Sequence, residues 1–433
     1  MTRIFFTLYF LLLLAACSPR LRSHFCTAEE VRRVPASEIP AEYGDFEGRS
    51  PCSNPLSYIP DTAHLQHTPI RHVRVNFHFM NSADSSSNYV GDKAVEFTRG
   101  WLHSANNDLK TNHKMWLPPR NYTPVIPTRY RYVLTPGSDR PDDDGIYFHF
   151  DNDNCYYIHK GKNRNLHERA LIEKYALRPD SILNVFVMPH HPDSVASDTY
   201  RAGFVGVALG NSIKIAGMYA DGGPPWKYRG VLNHEIGHVF GLGHTWAFND
   251  GCEDTPRHGQ HCWNRTEEPP CDTMASNNVM DYNALQNAWT PCQIGRVHYR
   301  MSRTNARARG LLRPDWCRLR EDKHIFIEDT VRWQSAKDIE SHITIQNGGQ
   351  LIVECRLSLP KDGLITVRPG GTLILNGGRI HNSCGDRWQG IVVERKGRRR
   401  GQVIFAGAVT LENMIHPLEE NTSRNEADAL RGQ

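Results

Sequence analysis

The sequence predicts an α+β fold, a mixed sheet with helices packed on it, followed by a smaller β-rich module. Three observations predict it. From Arg71 to Phe240, strand-like and helix-like patterns alternate, as expected when a sheet buries its faces under helices. That alternation ends in a histidine-rich run, His234-Glu235-Ile236-Gly237-His238-Val239-Phe240-Gly241-Leu242-Gly243-His244. Beyond Trp316 an echo takes over: Ile343–Val353 recurs as Ile365–Leu375, an offset of 22 residues. Each copy reads strand, Gly-Gly turn, strand, the signature of stacked β-helix-like coils.

The N-terminus reads as a leader. Arg3 precedes an apolar run from Ile4 to Leu14, too short for an ordinary membrane-spanning helix. Leu14-Ala15-Ala16-Cys17 follows and resembles a bacterial lipobox. Residues 1–17 are therefore expected to be a signal peptide with Cys17 as the lipid-bearing mature N-terminus. This implies an exported lipoprotein of a bacterial cell envelope, with plain secretion as the alternative. Eleven cysteines, less Cys17, leave ten, an even number suited to an oxidising compartment. Residues 18–68 carry Pro35, Pro40, Pro51, Pro55 and Pro60 with little periodicity and read as a tether or pro-segment. Cys26 or Cys52 could there block a metal in a latent form, against the plainer reading of a disulfide.

Residues 69–318 carry the larger domain. Val73, Val75, Phe77 and Phe79 alternate as in a strand. Residues 91–110 look helical, with Ala94, Val95, Phe97, Trp101 and Leu102 on an apolar face. Strands are expected at Arg129–Leu134, Ile146–Phe150 and Ile182–Met188, and a helix near Leu166–Tyr175. A helix from about Tyr228 to Phe240 then carries the histidine run.

In that run each fixed position has a chemical task. His234 and His238 lie four apart, on one face of a helix. That spacing suits zinc, with Zn–N contacts of about 2.0–2.1 Å. Glu235 can reach a water activated by the metal without being a ligand. Gly241 can take the left-handed conformation that ends a helix, which returns the chain so that His244 becomes a third ligand. Three protein ligands leave a fourth position open, the catalytic arrangement. The segment Asn278-Val279-Met280-Asp281-Tyr282 lies downstream and resembles a Met-turn, which the long zinc motif accompanies in metzincins.

Further motifs narrow the resemblance: Thr245-Trp246, Gly251-Cys252, Asp254-Thr255-Pro256, Met280-Asp281-Tyr282 and Trp289-Thr290-Pro291-Cys292-Gln293. Their order is similar to the pappalysin family of metzincins, including its bacterial cytophagalysin-like members, over about residues 180–302. The resemblance implies a metzincin-type zincin domain with a twisted mixed sheet, and a zinc endopeptidase acting on protein or peptide substrates. It implies that Met280 underlies the metal and that Tyr282 approaches it to donate to the oxyanion. It also implies an edge strand along the cleft that holds substrate as an added strand. Phe204–Leu209 and Lys214–Tyr219 are the two candidates. Calcium near Asp254 is a further implication. Members that prefer a basic residue after the scissile bond carry acids beyond the tyrosine, whereas here Asn283-Ala284-Leu285-Gln286-Asn287 has none. A cysteine usual in that segment is absent, and Cys292 replaces a usual glycine. Cysteine order suggests Cys252 with Cys271 and Cys262 with Cys292; a second zinc site is the alternative.

The β-rich module is expected over 319–415, with Trp388-Gln389-Gly390-Ile391-Val392-Val393 opening a third coil and no cap apparent. Its plain role is a rigid spacer; its alternative is a glycan or surface partner. Arg395-Lys396-Gly397-Arg398-Arg399-Arg400 reads as a solvated turn or a contact for anionic polysaccharide or lipid headgroups. Asp142-Asp143-Asp144-Gly145 and Asp151-Asn152-Asp153-Asn154 read as turns rather than calcium loops. Residues 416–433 look disordered. A net charge of +4 argues against nucleic acid as a partner. The expected function is an exported zinc-dependent endopeptidase using a zinc-activated water with Glu235 as general base. The rival is a surface binding or adhesion protein with a vestigial zinc domain.

Overall fold

The computed structural model describes residues 20–39, 50–85, 88–157, 167–198, 203–246, 249–259 and 262–418. The expected leader with Cys17, and the tail beyond residue 418, lie outside them. The chain divides into two compact units, one of residues 54–315 and one of residues 1–53 with 316–433.

The first unit is built on a six-stranded twisted mixed sheet. Its order is Tyr130–Leu134, Arg71–Asn81, Leu183–Met188, Ser212–Ala216, Val205–Ala208, with Ile146–Phe150 also paired to Arg71–Asn81. Every pairing is parallel except the last, where Val205–Ala208 runs antiparallel to Ser212–Ala216. The inner strands are covered on both faces, as parallel strands are; Leu183–Met188 is buried at every residue, Asn184 included. Gly91–Thr111 forms a 21-residue helix that buries Ala94, Phe97, Trp101, Leu102, Ala105 and Leu109. It also fixes the start of the next important helix. The Trp101 indole donates to the Tyr228 carbonyl at 2.9 Å, and Asp108 pairs with Arg229 at 2.8 Å. The two strand candidates resolve here. Val205–Ala208 is an edge strand, while Lys214 lies in the internal strand Ser212–Ala216, and Met218–Asp221 is a helical turn.

The second unit is a parallel β-helix of three sheets and four coils. Its stacked strands are His324–Ile327, His342–Ile345, Leu364–Val367 and Gly390–Lys396 on one sheet; Thr330–Trp333, Gln350–Val353, Thr372–Asn376 and Gln402–Ala406 form the second. The sequence echo is the register itself: Ile343 lies on Ile365 and Leu351 on Leu373. Side chains such as Ile327, Ile345, Val367 and Val393 stack inward as one core. The first coil, His324–Asp338, carries no Gly-Gly turn and escaped the repeat.

Residues 18–68 are not the single tether or pro-segment expected. Leu21–Phe25 pairs antiparallel with Gly390–Lys396, and Val31–Val34 pairs parallel with Gln402–Ala406. These two strands close the last coil and supply the cap that the local sequence lacked. Neither cysteine there can block a metal. Cys26 is buried in the β-helix core, and Cys52 is bonded to Cys355.

The cysteine pairing also differs from that suggested by order. The bonds are Cys252–Cys292, Cys262–Cys271, Cys317–Cys384 and Cys52–Cys355, with Cys26 and Cys155 free and buried. Cys262 and Cys271 close a short local loop inside the longer one, so the bonds are nested rather than crossed. The second zinc site therefore has no thiolates to use.

At the coil corner, a methyl group added to Gly349 would lie 2.1 Å from the Ile327 carbonyl oxygen of the preceding coil. Gly349→Ala is therefore expected to destabilise the β-helix by about 1–3 kcal/mol, seen as a lowered midpoint in thermal unfolding followed by circular dichroism.

Candidate active site

The helix Arg229–Val239 places its histidines by period and ends by design of its last turn. Leu232 and Ile236 bury one face, leaving His234 and His238 on a face toward the cleft. At its end, Leu242 N–H donates to the Gly237 carbonyl at 3.0 Å and Gly241 N–H to the His238 carbonyl at 2.9 Å. This is the Schellman pattern, and it requires Gly241 at φ +82°. The chain then doubles back and delivers His244.

Three Nε2 atoms converge. His238 to His244 is 3.0 Å, His238 to His234 is 3.1 Å, and His234 to His244 is 3.2 Å. Their far nitrogens reveal the tautomers. His234 Nδ1 lies 2.8 Å from the Val279 carbonyl and His238 Nδ1 lies 2.9 Å from the Leu242 carbonyl. Carbonyls only accept, so each Nδ1 carries the hydrogen and each Nε2 presents a lone pair. Lone pairs aimed at one another repel unless a cation lies among them. Burial and mutual proximity push His234 down to about 3 and His244 to about 4, which keeps them neutral as ligands must be. The donor set fits a metal ion, and nitrogen ligands in this number suit zinc.

Glu235 lies beside them, almost fully buried, and desolvation pushes its carboxyl up to about 8. It is held against the edge strand. A Cβ on Gly206 would sit 2.5 Å from the Glu235 carboxylate, so the strand can lie this close only because residue 206 has no side chain. Gly237 serves the opposite side of the helix. A Cβ there would lie 2.5 Å from Met280 Sδ, so Met280 packs directly under the histidine-bearing turn. A glycine in mid-helix costs roughly 1 kcal/mol relative to alanine, and that cost was the available sequence signal for this contact.

The Met-turn is braced from several sides. Asn278 Oδ1 accepts from Met280 N–H at 2.8 Å. Asn278 and Gln293 exchange reciprocal amide bonds, each 2.9 Å. Gln293 also closes a capping box with Thr290 at the start of helix Pro291–Ser302. Asp281 is buried and ion-paired with His258, a residue to which sequence reasoning assigned no role. Tyr282 then emerges half-exposed, its ring 5.2 Å from His244 and 5.8 Å from His234. Trp246 stacks on His244 at 4.2 Å and touches Tyr282 at 4.4 Å, which holds the third histidine and the tyrosine in one arrangement. All six residues singled out, His234, Glu235, His238, His244, Met280 and Tyr282, thus come together at one place.

Asp254 does not join them. Its carboxylate accepts from Cys292 N–H at 3.0 Å in the first turn of helix Pro291–Ser302, a capping role that replaces the calcium suggestion. Asp143 and Asp151 likewise organise turns, through Ser138, Gly145 and Tyr147 for the first and Asp153, Asn154, Lys174 and Tyr175 for the second.

The cleft opens to both sides of Glu235. One cavity of about 510 Å³ is lined by Phe204, Val231, Trp263, Ala284 and Gln286; the other, about 700 Å³, runs along Val205–Ala208 past His238 and His244. Glu235 is the one carboxylate lining the first cavity, and Lys227 at its edge is paired with Asp221 at 2.6 Å.

Residues 172–302 match the model of the peptidase family described as pregnancy-associated plasma protein-A. Among solved structures, mature mirolysin of Tannerella forsythia with a cleaved peptide is 17% identical, with a TM-score of 0.40. The match covers 56% of this chain and 95% of that one. Mirolysin in complex with compound 9 is also 17% identical, with a TM-score of 0.41, over 56% of this chain and 96% of that one. A promirolysin mutant of Tannerella forsythia is 16% identical, with a TM-score of 0.40, over 56% of this chain and 84% of that one. No curated protein matches the chain.

The His258–Asp281 pair makes a measurable demand on pH. Burial opposes the charge on His258, but the Asp281 carboxylate and the Gly259 carbonyl outweigh it and raise its pKa. A pKa raised by folding stabilises fully below the unfolded value, near 6.5, and ceases to do so as pH rises through the folded value. His258→Gln is expected to lower the thermal midpoint more at about pH 5.5 than at about pH 9. Equal losses at both pH values would remove the ion pair from the support of the Met-turn.

Proposed function

We propose, from the match of residues 172–302 to that peptidase family, that this chain is a pappalysin-like metzincin and an exported zinc endopeptidase anchored through Cys17. The observation that carries the chemistry is the convergence of three imidazole Nε2 atoms beside a buried carboxyl. Zinc held by His234, His238 and His244 would supply the Lewis acidity that makes water a nucleophile near neutral pH.

The remaining steps belong to the chain's own groups. Extended substrate pairs with the free edge of Val205–Ala208 by main-chain hydrogen bonds. Antiparallel pairing, the more stable kind, runs the substrate's C-terminal side toward Phe204 and the first cavity. Glu235, buried beside the three imidazoles, takes the attacking water's proton and returns it to the departing amine. Tyr282 donates a hydrogen bond to the oxyanion of the tetrahedral intermediate. The cavity taken to receive the side chain after the scissile bond is lined by Phe204, Val231, Trp263 and Ala284 beside Asn283 and Gln286, and its one carboxylate among the described residues is Glu235 itself. That supports a preference for uncharged side chains over arginine or lysine at this position. Export rests on the leader. Among the described residues no helix is long and apolar enough to cross a membrane.

The test is digestion of a mixed peptide library with sequencing of the cut sites. Wild type should cleave, and a zinc chelator should stop it. Glu235→Ala should lose at least about 100-fold in kcat/KM while its zinc content, read by atomic absorption, stays at that of wild type. His238→Ala should lose both zinc and activity. Cut sites should show apolar residues after the broken bond. Cleavage by Glu235→Ala at the wild-type rate would overturn the mechanism, and an arginine preference would overturn the pocket assignment alone.

A further inference from the structure

The basic run Arg395–Arg400 is not an isolated turn. The strands Gly390–Lys396 and Arg399–Arg400 form a hairpin, and Leu21–Phe25 lies along the hairpin's other side. The register places Arg22 opposite Arg395, and Arg395 opposite Arg400. Directly opposed residues share a face of the sheet, so three guanidinium groups form one row across three strands. Like charges so placed repel. Among the described residues no carboxylate pairs with Arg20, Arg22, Arg395 or Arg400. The acids nearby are committed elsewhere: Glu30 holds His24 at 2.9 Å, and Glu394, on the opposite face, accepts from Ser23 at 3.3 Å. Arg20, Arg22, His24 and Arg395 line a concavity of about 600 Å³. Arg395 donates to the Gly397 carbonyl at 2.9 Å, but guanidinium groups gathered beside a hollow without a carboxylate partner repel one another, and an anionic ligand relieves that repulsion. Guanidinium groups bind phosphate through paired N–H donors.

The position of this hollow along the chain selects the source of the phosphate. Arg20 lies three positions after Cys17, and three residues of chain reach at most about 10 Å. That distance is close to the Debye length of about 8 Å at physiological ionic strength. We propose that this concavity binds the phosphate groups of an anionic lipid surface, as a second contact beside the anchor at Cys17. The inference rests on the anchored reading given above. A single acyl attachment holds a protein reversibly, and a basic patch is the kind of second signal that makes attachment stable.

The test is co-sedimentation with vesicles of phosphatidylglycerol in phosphatidylcholine, against phosphatidylcholine alone. It uses the chain from Ser18 onward, which keeps every described residue of both units and carries no lipid. Retention is expected on the anionic vesicles only, with release as salt rises from about 0.1 to 0.5 M. Arg22→Gln with Arg395→Gln and Arg400→Gln should lower retention at least tenfold while leaving peptide hydrolysis unchanged. Its thermal midpoint should equal or exceed that of wild type, because a repulsion has been removed; a structural role for these arginines would lower it. Arg20→Gln, outside the paired strand positions but lining the hollow, should give a several-fold drop if the triple variant folds poorly. Equal retention on neutral vesicles, or undiminished retention of both variants, overturns the proposal. Binding of a soluble sulfated oligosaccharide without binding to vesicles also overturns it and assigns the hollow to polysaccharide. Membrane fractionation of Cys17→Ser in cells tests the anchor separately, so either can fail without the other.

Discussion

Three imidazole nitrogens held 3.0–3.2 Å apart form an arrangement that no apolar core would tolerate by itself. Neutral lone pairs facing one another gain nothing from burial, and two of the rings are held there by their opposite nitrogens. For His234 the holder is a Met-turn carbonyl; for His238 it is a carbonyl released by the end of its own helix. The Met-turn therefore does more than carry a methionine. Its backbone selects a tautomer, and the Asn278–Gln293 exchange, the Thr290 capping box and the His258–Asp281 pair keep that backbone in place. Packing follows the same logic, since Gly237 and Gly206 let Met280 and the edge strand close on the site from opposite sides.

What could be read from the sequence was whatever lies within one local element. The helix that carries His234 and His238, the glycine that ends it, the long helix Gly91–Thr111 and the strands Arg71–Asn81 and Leu183–Met188 all announce themselves by period. What could not be read depends on the path of irregular chain. Cys252, Cys262, Cys271 and Cys292 permit three connectivities. Order alone suggested a crossed pair, because nothing local shows that residues 262–271 close on themselves. His258 gave no signal at all, since its partner Asp281 meets it only through folding. Helix start and end were displaced by one residue at each side, the usual consequence of reading caps from sequence.

The β-helix divides the same way. Its second and third coils share Gly-Gly corners and were visible as an echo, whereas the first turns its corner at Glu328-Asp329 and leaves no such mark. The fourth was glimpsed only at its opening strand. The cap was hidden for a different reason. It comes from Leu21–Phe25 and Val31–Val34, remote in sequence and too short and charged to look like strands. Arg22, Arg32 and Arg33 break the apolar alternation because most of each strand faces solvent.

That remote cap makes the unit of residues 54–315 an insertion within the other unit, since those residues leave and return between strands of one β-helix. During synthesis the inserted residues emerge complete while the capping strands wait for their coils. The Cys52–Cys355 bond spans 303 residues, so it can form correctly only after the second coil exists. Contacts of such separation form late because the intervening loop must first be closed. The nested unit shortens that wait. Once folded, it replaces a long flexible loop with a compact body whose two ends are fixed in space. The order of assembly is thus written into the chain's connectivity: the inner unit matures first, and the outer one is completed around the chain's own beginning.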